Sequence, residues 1–352
     1  MSGKSIVFCP TLCYTIIRGT CHPIENAHLS INQSQALQVL SNTFLVSHPA
    51  CACKTPPCGQ QNGVMAHING TGAMGRPCRC IKLANLVNYV TLSWEVFYMK
   101  RFGDNGIFLL CDESLTWHIV EDTGEVDTPV PEDIIAVLDS VKTVFAHGYG
   151  REYMDSVKTY VVPCSDSPTS FNDNEISMVG LTARGRYWCQ YAFQFAHELC
   201  HLTIPGEVAQ PYRWFEESIC ELASLFFLYE MTKAWETSPP CQGWKSYAPA
   251  FQRYVKSRLI NNSLRIPDSY SFSSYFAERL SYLSDNCYDR SVNLLCAEHL
   301  LPIFQEAPAV WSDVPALAQW KTEAGLWSSL HQWKEEAHEK AAIEKIITLF
   351  YP

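Results

Sequence analysis

The sequence has no long hydrophobic run. Its apolar stretches, such as residues 223–229, stop far short of the roughly 20 residues a helix needs to cross a bilayer, so no membrane-spanning helix is expected. A secretory leader is not expected either. Only Lys4 precedes the short apolar stretch from Ser5 to Pro10, whereas the apolar region of a leader runs about 7–15 residues. Blocks of like charge are missing too, and charged residues make up only 18% of the chain. The balance is acidic, at −10. The chain therefore gains no general attraction to phosphate backbones, which argues against a nucleic-acid partner. Internal repeats are absent. The expectation is a soluble cytoplasmic protein that binds neither membrane nor nucleic acid.

Cysteine is plentiful, with 16 residues, but the paired two-residue gap of a zinc ribbon is missing. Eight cysteines fall in the first 80 residues. There the gaps are three between Cys9 and Cys13, and one in both Cys51–Cys53 and Cys78–Cys80. Those spacings favour free thiols in a loosely ordered segment over a second zinc site. The sequons at Asn32, Asn69 and Asn261 carry little meaning without a leader.

At 47% hydrophobic and 12% aromatic, the chain has ample material for a large core. Residues 1–80 read as a Cys-rich, poorly ordered region. Residues 81–235 read as an α/β portion carrying the site, and 236–352 as a helical C-terminal portion. Strands are expected at 106–111 (GIFLLC), 157–164 (VKTYVVPC) and 174–181 (NEISMVGL). A helix is expected over 131–146, where Pro131 and two acidic residues open an apolar helical pattern. Two stronger helices follow, over about 186–202 and 213–231. Apolar residues then recur at helical spacing, interrupted by Pro267, Pro302 and Pro315.

The chemistry concentrates in the first of the two strong helices. His197 and His201 are four apart, so on a helix both imidazoles leave one face a turn apart and reach a single ion. Glu198 stands beside the first histidine, where it takes a proton from water as that water attacks a carbonyl. Trp188, Tyr191, Ala192, Phe195 and Leu199 make the other faces apolar, which would hold the ligands rigidly. A catalytic zinc usually takes a third protein ligand, and the second helix offers Glu217. Glu216 competes for that place. It lies about 100° away around the helix, so only one of the two can face the ion. Glu221, one turn beyond Glu217, would accept the free ring N–H of a ligand histidine.

His197-Glu198-Leu-Cys-His201 followed by Trp214-Phe-Glu-Glu217-Ser-Ile-Cys-Glu221 resembles the gluzincin pattern of thermolysin-like peptidases and neutral zinc aminopeptidases. That resemblance covers roughly 40 residues. It implies an α+β, zincin-like domain with a small mixed sheet and an active-site helix, then a mostly helical C-terminal subdomain. It also implies a Zn²⁺ cofactor and peptide or protein substrates. The family's third ligand is usually preceded by Asn, where this chain has Glu216, and the spacing here is a few residues shorter. Tyr288-Asp-Arg290-Ser291 echoes the Tyr-x-Lys-Gly motif of the aminopeptidases, which makes Tyr288 the oxyanion donor implied by the resemblance. Their Gly-x-Met-Glu-Asn strand is missing, which argues against aminopeptidase specificity. The segment 174–181 is placed like the edge strand along which such enzymes lay an extended substrate.

HExxH alone arises by chance in roughly one chain of this length in a hundred. The helical setting, the following glutamate helix and the preceding strands speak for a true site. The alternative is a non-catalytic, zinc-stabilised protein-interaction module. Cys200 and Cys220 read as packing residues, and His299 and His338 as ordinary helical ones.

Overall fold

Around the site the chain divides its work between a small sheet and a set of helices. The computed structural model describes residues 98–101, 106–111, 117–121, 123–164, 166–172 and 177–351. The Cys-rich region 1–80, with its alternative zinc site and the sequons at Asn32 and Asn69, lies outside them.

Five strands form one mixed sheet: β1 (Tyr98–Arg101), β2 (Ile107–Cys111), β5 (Thr159–Pro163), β7 (Ser177–Leu181) and β6 (Thr169–Asn172), in that spatial order. A separate two-stranded ribbon pairs β3 (Ile119–Val120) with β4 (Val126–Asp127). The three central strands run parallel, and the flanking β1 and β6 run antiparallel to their neighbours. A parallel pair needs a long crossover. Between β2 and β5 the chain supplies it with helices α1 (Pro131–Tyr149) and α2 (Arg151–Ser156). α1 starts where the sequence predicts: Pro131 opens it, and Glu132 and Asp133 sit in its first turn, where carboxylates oppose the helix dipole.

β7 is buried along almost its whole length, as a strand covered on both faces should be. It is not the sheet edge, contrary to the expectation for 174–181. β6 covers its outer flank, with Ser170 opposite Val179 and Phe171 opposite Met178. Among the described residues the outer strand on this side is β6, only four residues of mixed polarity (TSFN), too short to show a period in the sequence.

Two helices carry the site: α3 (Trp188–Thr203) and α4 (Arg213–Thr237). α3 is apolar nearly all round, and Trp188, Tyr191, Ala192, Phe195 and Leu199 are all buried. A helix of that kind must be covered on every side. α1 and the sheet cover it on one side and α4 on another, with the Ser224 hydroxyl of α4 donating to the Phe193 carbonyl at 2.9 Å. Beyond α4 come α5 (Ala248–Asn261), the short α6 (Phe272–Ala277) and α7 (Leu280–Asp285), and α8 (Arg290–Glu306). The chain ends in α9 (Gly325–Glu336) and α10 (Lys340–Phe350). The apolar core runs unbroken from Ile107 to Phe350, so these later helices share it with the sheet. The architecture is α+β: mostly helical, with one small mixed sheet. Among the described residues no helix is long and apolar enough to cross a membrane.

Close approach sets one position in the core. A Cβ at Gly148, in the last turn of α1, would stand 2.9 Å from the Trp311 Cβ. That is nearer than side-chain atoms pack, so only glycine lets the two segments meet there.

Candidate metal centre

α3 and α4 are joined by a short reversal, residues 204–212, closed by a single 3₁₀ turn at Gln210–Tyr212. This turn lays the start of α4 beside the end of α3. His197 and His201 leave α3 one turn apart, their ring centres 5.1 Å from each other. Both rings turn the same edge towards Glu217. His197 Nε2 lies 3.3 Å from one Glu217 oxygen, and His201 Nε2 lies 3.5 Å from the other. One donor atom from each of the three residues falls within 4.8 Å of the others.

That geometry fits a metal ion. With bonds of about 2.0–2.1 Å, a tetrahedral ion separates its ligand atoms by about 3.3–3.4 Å. The two histidine-to-carboxylate distances, one to each Glu217 oxygen, are of that order. The three side chains keep 17–19% of their surface exposed, so the site is reachable from solvent among the described residues.

The opposite edges of the rings are also engaged. His201 Nδ1 lies 2.8 Å from Glu216 Oε1, and His197 Nδ1 lies 3.5 Å from Glu221 Oε2. Each imidazole therefore stands between two carboxylates. An Nδ1–H donated outward leaves the Nε2 lone pair free for an ion, which is how an outer carboxylate fixes a ligand histidine's tautomer. Helical phase gives the two glutamates different partners: Glu217 faces both Nε2 atoms, and Glu216 meets Nδ1 of His201. Glu221 lies beside His197.

The charges follow from this packing. Burial pushes the His201 pKa down, but Glu217 and Glu216 outweigh it and hold it at about 9. Burial acts on His197 in the same sense, and Glu217 and Glu221 lift it well above the ordinary value. Burial alone would raise Glu217, yet the two histidines bring it below the usual carboxylate value. In the metal-free protein the pocket thus holds protons where an ion would sit.

Glu198 behaves differently. It is 5% exposed, and its pKa is raised because burial outweighs the pull of His197 and His201. The Ser170 hydroxyl on β6 stands as a hydrogen-bond donor to its carboxylate and works against that rise. One turn earlier on the same face, Gln194 fastens α3 to the end of β7. Its carbonyl oxygen accepts from the Thr182 and Ala183 amides at 3.0 Å each, and its amide donates to the Thr182 hydroxyl at 2.7 Å.

Tyr288 lies in the turn before α8 and is 58% exposed. Asp289 caps that helix, accepting from the Val292 amide at 3.3 Å. The first turn of α8 packs beside Glu217, since Ser218 donates to Asn293 at 3.4 Å. Cys200 and Cys220 are fully buried within the packing of α3 and α4. His299 stacks on Phe272 with ring centres 4.7 Å apart, and His338 pairs with Asp313 at 2.9 Å, both away from the histidine–glutamate cluster. Ser170 was missed by the sequence reading. Nothing in its local sequence marks a serine that meets Glu198 only through strand pairing.

Compared with protein-family models and with curated proteins, the chain finds no match. The function therefore has to be argued from the site.

Proposed function

We propose that this chain is a zinc-dependent peptidase with a gluzincin-type site, in which His197, His201 and Glu217 hold the ion. One observation carries the reading: two imidazole Nε2 atoms converge on the two oxygens of one carboxylate, at 3.3 and 3.5 Å, with a separate buried acid next to the first histidine. A bound divalent ion there would polarise a peptide carbonyl and acidify water. The residues favour zinc among divalent ions, because two imidazoles and one carboxylate form a common catalytic zinc set.

The protein's own groups supply the rest of the chemistry. Glu198, whose pKa burial raises above the ordinary carboxylate value, accepts the proton of the attacking water as a carboxylate and passes it to the leaving amine. Ser170 keeps that carboxylate oriented. Glu216 and Glu221 hold the histidine rings in register. Exposed on the turn before α8, Tyr288 serves as donor to the oxyanion of the tetrahedral intermediate. β6, the outer strand on this side of the sheet among the described residues, is where an extended peptide would pair.

The test is Glu198→Gln. The variant should bind zinc as the parent does and lose peptide cleavage by at least about 100-fold, in line with the 10²–10⁴-fold contribution of a positioned general base. A variant that cleaves a broad peptide library as fast as the parent refutes the mechanism. A parent that holds zinc with four protein ligands and cleaves nothing is a binding module.

A further inference from the structure

Glu221 has a second partner. Its Oε2 lies 3.5 Å from His197 Nδ1, while its Oε1 lies 3.5 Å from the Nη2 of Arg258, which comes from α5. Among the described residues Arg258 is the one ion-pair partner of that oxygen, which is otherwise buried without a hydrogen bond. The Glu221 side chain keeps only 11% of its surface exposed, so its charge has little water to lean on.

Arg258 is itself held. Its guanidinium carbon stands 5.1 Å from the centre of the Phe193 ring, a cation–π contact. Phe193 in turn meets Tyr254 edge-on at 5.5 Å, and Tyr254 lies one turn before Arg258 on α5. Phe193 also lies one turn before His197 on α3. One guanidinium therefore spans three helices. It rests on the aromatic ring of α3, engages the carboxylate of α4 and is rooted in α5.

We infer that Arg258 is a positioning residue of the metal centre, fixing the Glu221 carboxylate so that Oε2 stays aimed at His197 Nδ1. The inference rests on the metal site proposed above but not on its being a peptidase. With Oε1 drawn towards the guanidinium, rotation of the carboxylate away from the ring is opposed. The ring's Nε2 is then preset towards Glu217, and α5 becomes part of the apparatus that sets metal affinity. Without Arg258, Glu221 is free to swing towards solvent, and the ion must first order the ligand it binds.

The experiment is a double-mutant cycle read on zinc affinity, using the full chain and a chromophoric chelator as competitor. Outer partners of ligand histidines change metal affinity about 10- to 100-fold, and Arg258 stands one contact further out. Arg258→Ala should therefore weaken zinc binding about 3- to 10-fold. Arg258→Lys should recover part of that loss, because it keeps the charge and loses the planar fork. In a Glu221→Ala background, Arg258→Ala should change zinc affinity less than about 2-fold. Thermal unfolding of the metal-free variants checks that the fold is kept. Equal losses in both backgrounds would mean that Arg258 acts through general packing, and would overturn the inference. So would a parent that binds no zinc, which removes the site as well. Coupled losses in a protein that cleaves no peptide uphold the inference and remove only the peptidase reading.

Discussion

Glu216 and Glu217 are neighbours of identical chemistry, and the structure gives them different work. Changing each to Gln keeps size and shape and removes the charge. Glu217 faces the Nε2 atoms of both histidines at 3.3 and 3.5 Å, so its replacement removes one ligand of the ion. A four-ligand structural zinc site is worth about 10–16 kcal/mol, or about 3–4 kcal/mol per ligand if divided evenly. That corresponds to a loss of about 100- to 1,000-fold in affinity. Glu216 meets only the outer edge of His201, at 2.8 Å. Its replacement leaves the ion its three protein donors and loosens one ring, a loss of about 10- to 100-fold, or about 1.4–2.7 kcal/mol. The order of the two variants is thus the sharper test than either size. Zinc affinity is measured by competition with a chelating dye at fixed pH, and coordination number by X-ray absorption. Equal losses, or a greater loss for Glu216→Gln, would show that the helix presents the other carboxylate and that the assignment of ligands is wrong.

Zinc affinity should rise with pH up to about 9, because ions and protons compete for the same nitrogens and His201 holds its proton to about that pH. Calorimetry in buffers of different ionisation enthalpy should show proton release on zinc binding at neutral pH, and no release would contradict this. The metal-free protein should respond in the opposite sense. His201 has a folded-state pKa raised above its unfolded value of about 6.5. Its contribution to stability is then complete below about pH 6.5 and lost as pH rises through about 9, which thermal melts across that range would detect. Gly148→Ala should destabilise the fold by about 1–3 kcal/mol by forcing a methyl group against the Trp311 Cβ. An unchanged melting temperature would mean that the helix shifts at no cost.

Much of the centre could be read from spacing. A spacing of four between the histidines makes one helical turn, and a spacing of four between Glu217 and Glu221 makes another, so each pair shares a face whatever the rest of the chain does. The apolar surroundings of His197 and His201 likewise announced a buried helix, and α3 is one. Local repetition of this kind survives folding because helix geometry is set residue by residue. The boundaries were less legible. α1 runs three residues past the expected end at 146, and α4 runs six past the expected 231, because tertiary burial extends a helix after its sequence pattern fades.

Tertiary structure alone decided what depends on how α3 and α4 face each other. The phase of α4 relative to α3 separates Glu217 from Glu216, and no count along the chain contains that angle. Pairing of β6 against β7 carries Ser170 to Glu198 and moves the sheet edge from 174–181 to 169–172. Packing of α5 brings Arg258 to Glu221 across 37 positions of sequence. Each of these contacts joins residues from separate elements, and their distances come from the shape of the shared core rather than from the period of any one segment. The sequence by itself determined which residues can bind an ion and hold a proton; the fold determined which of them meet.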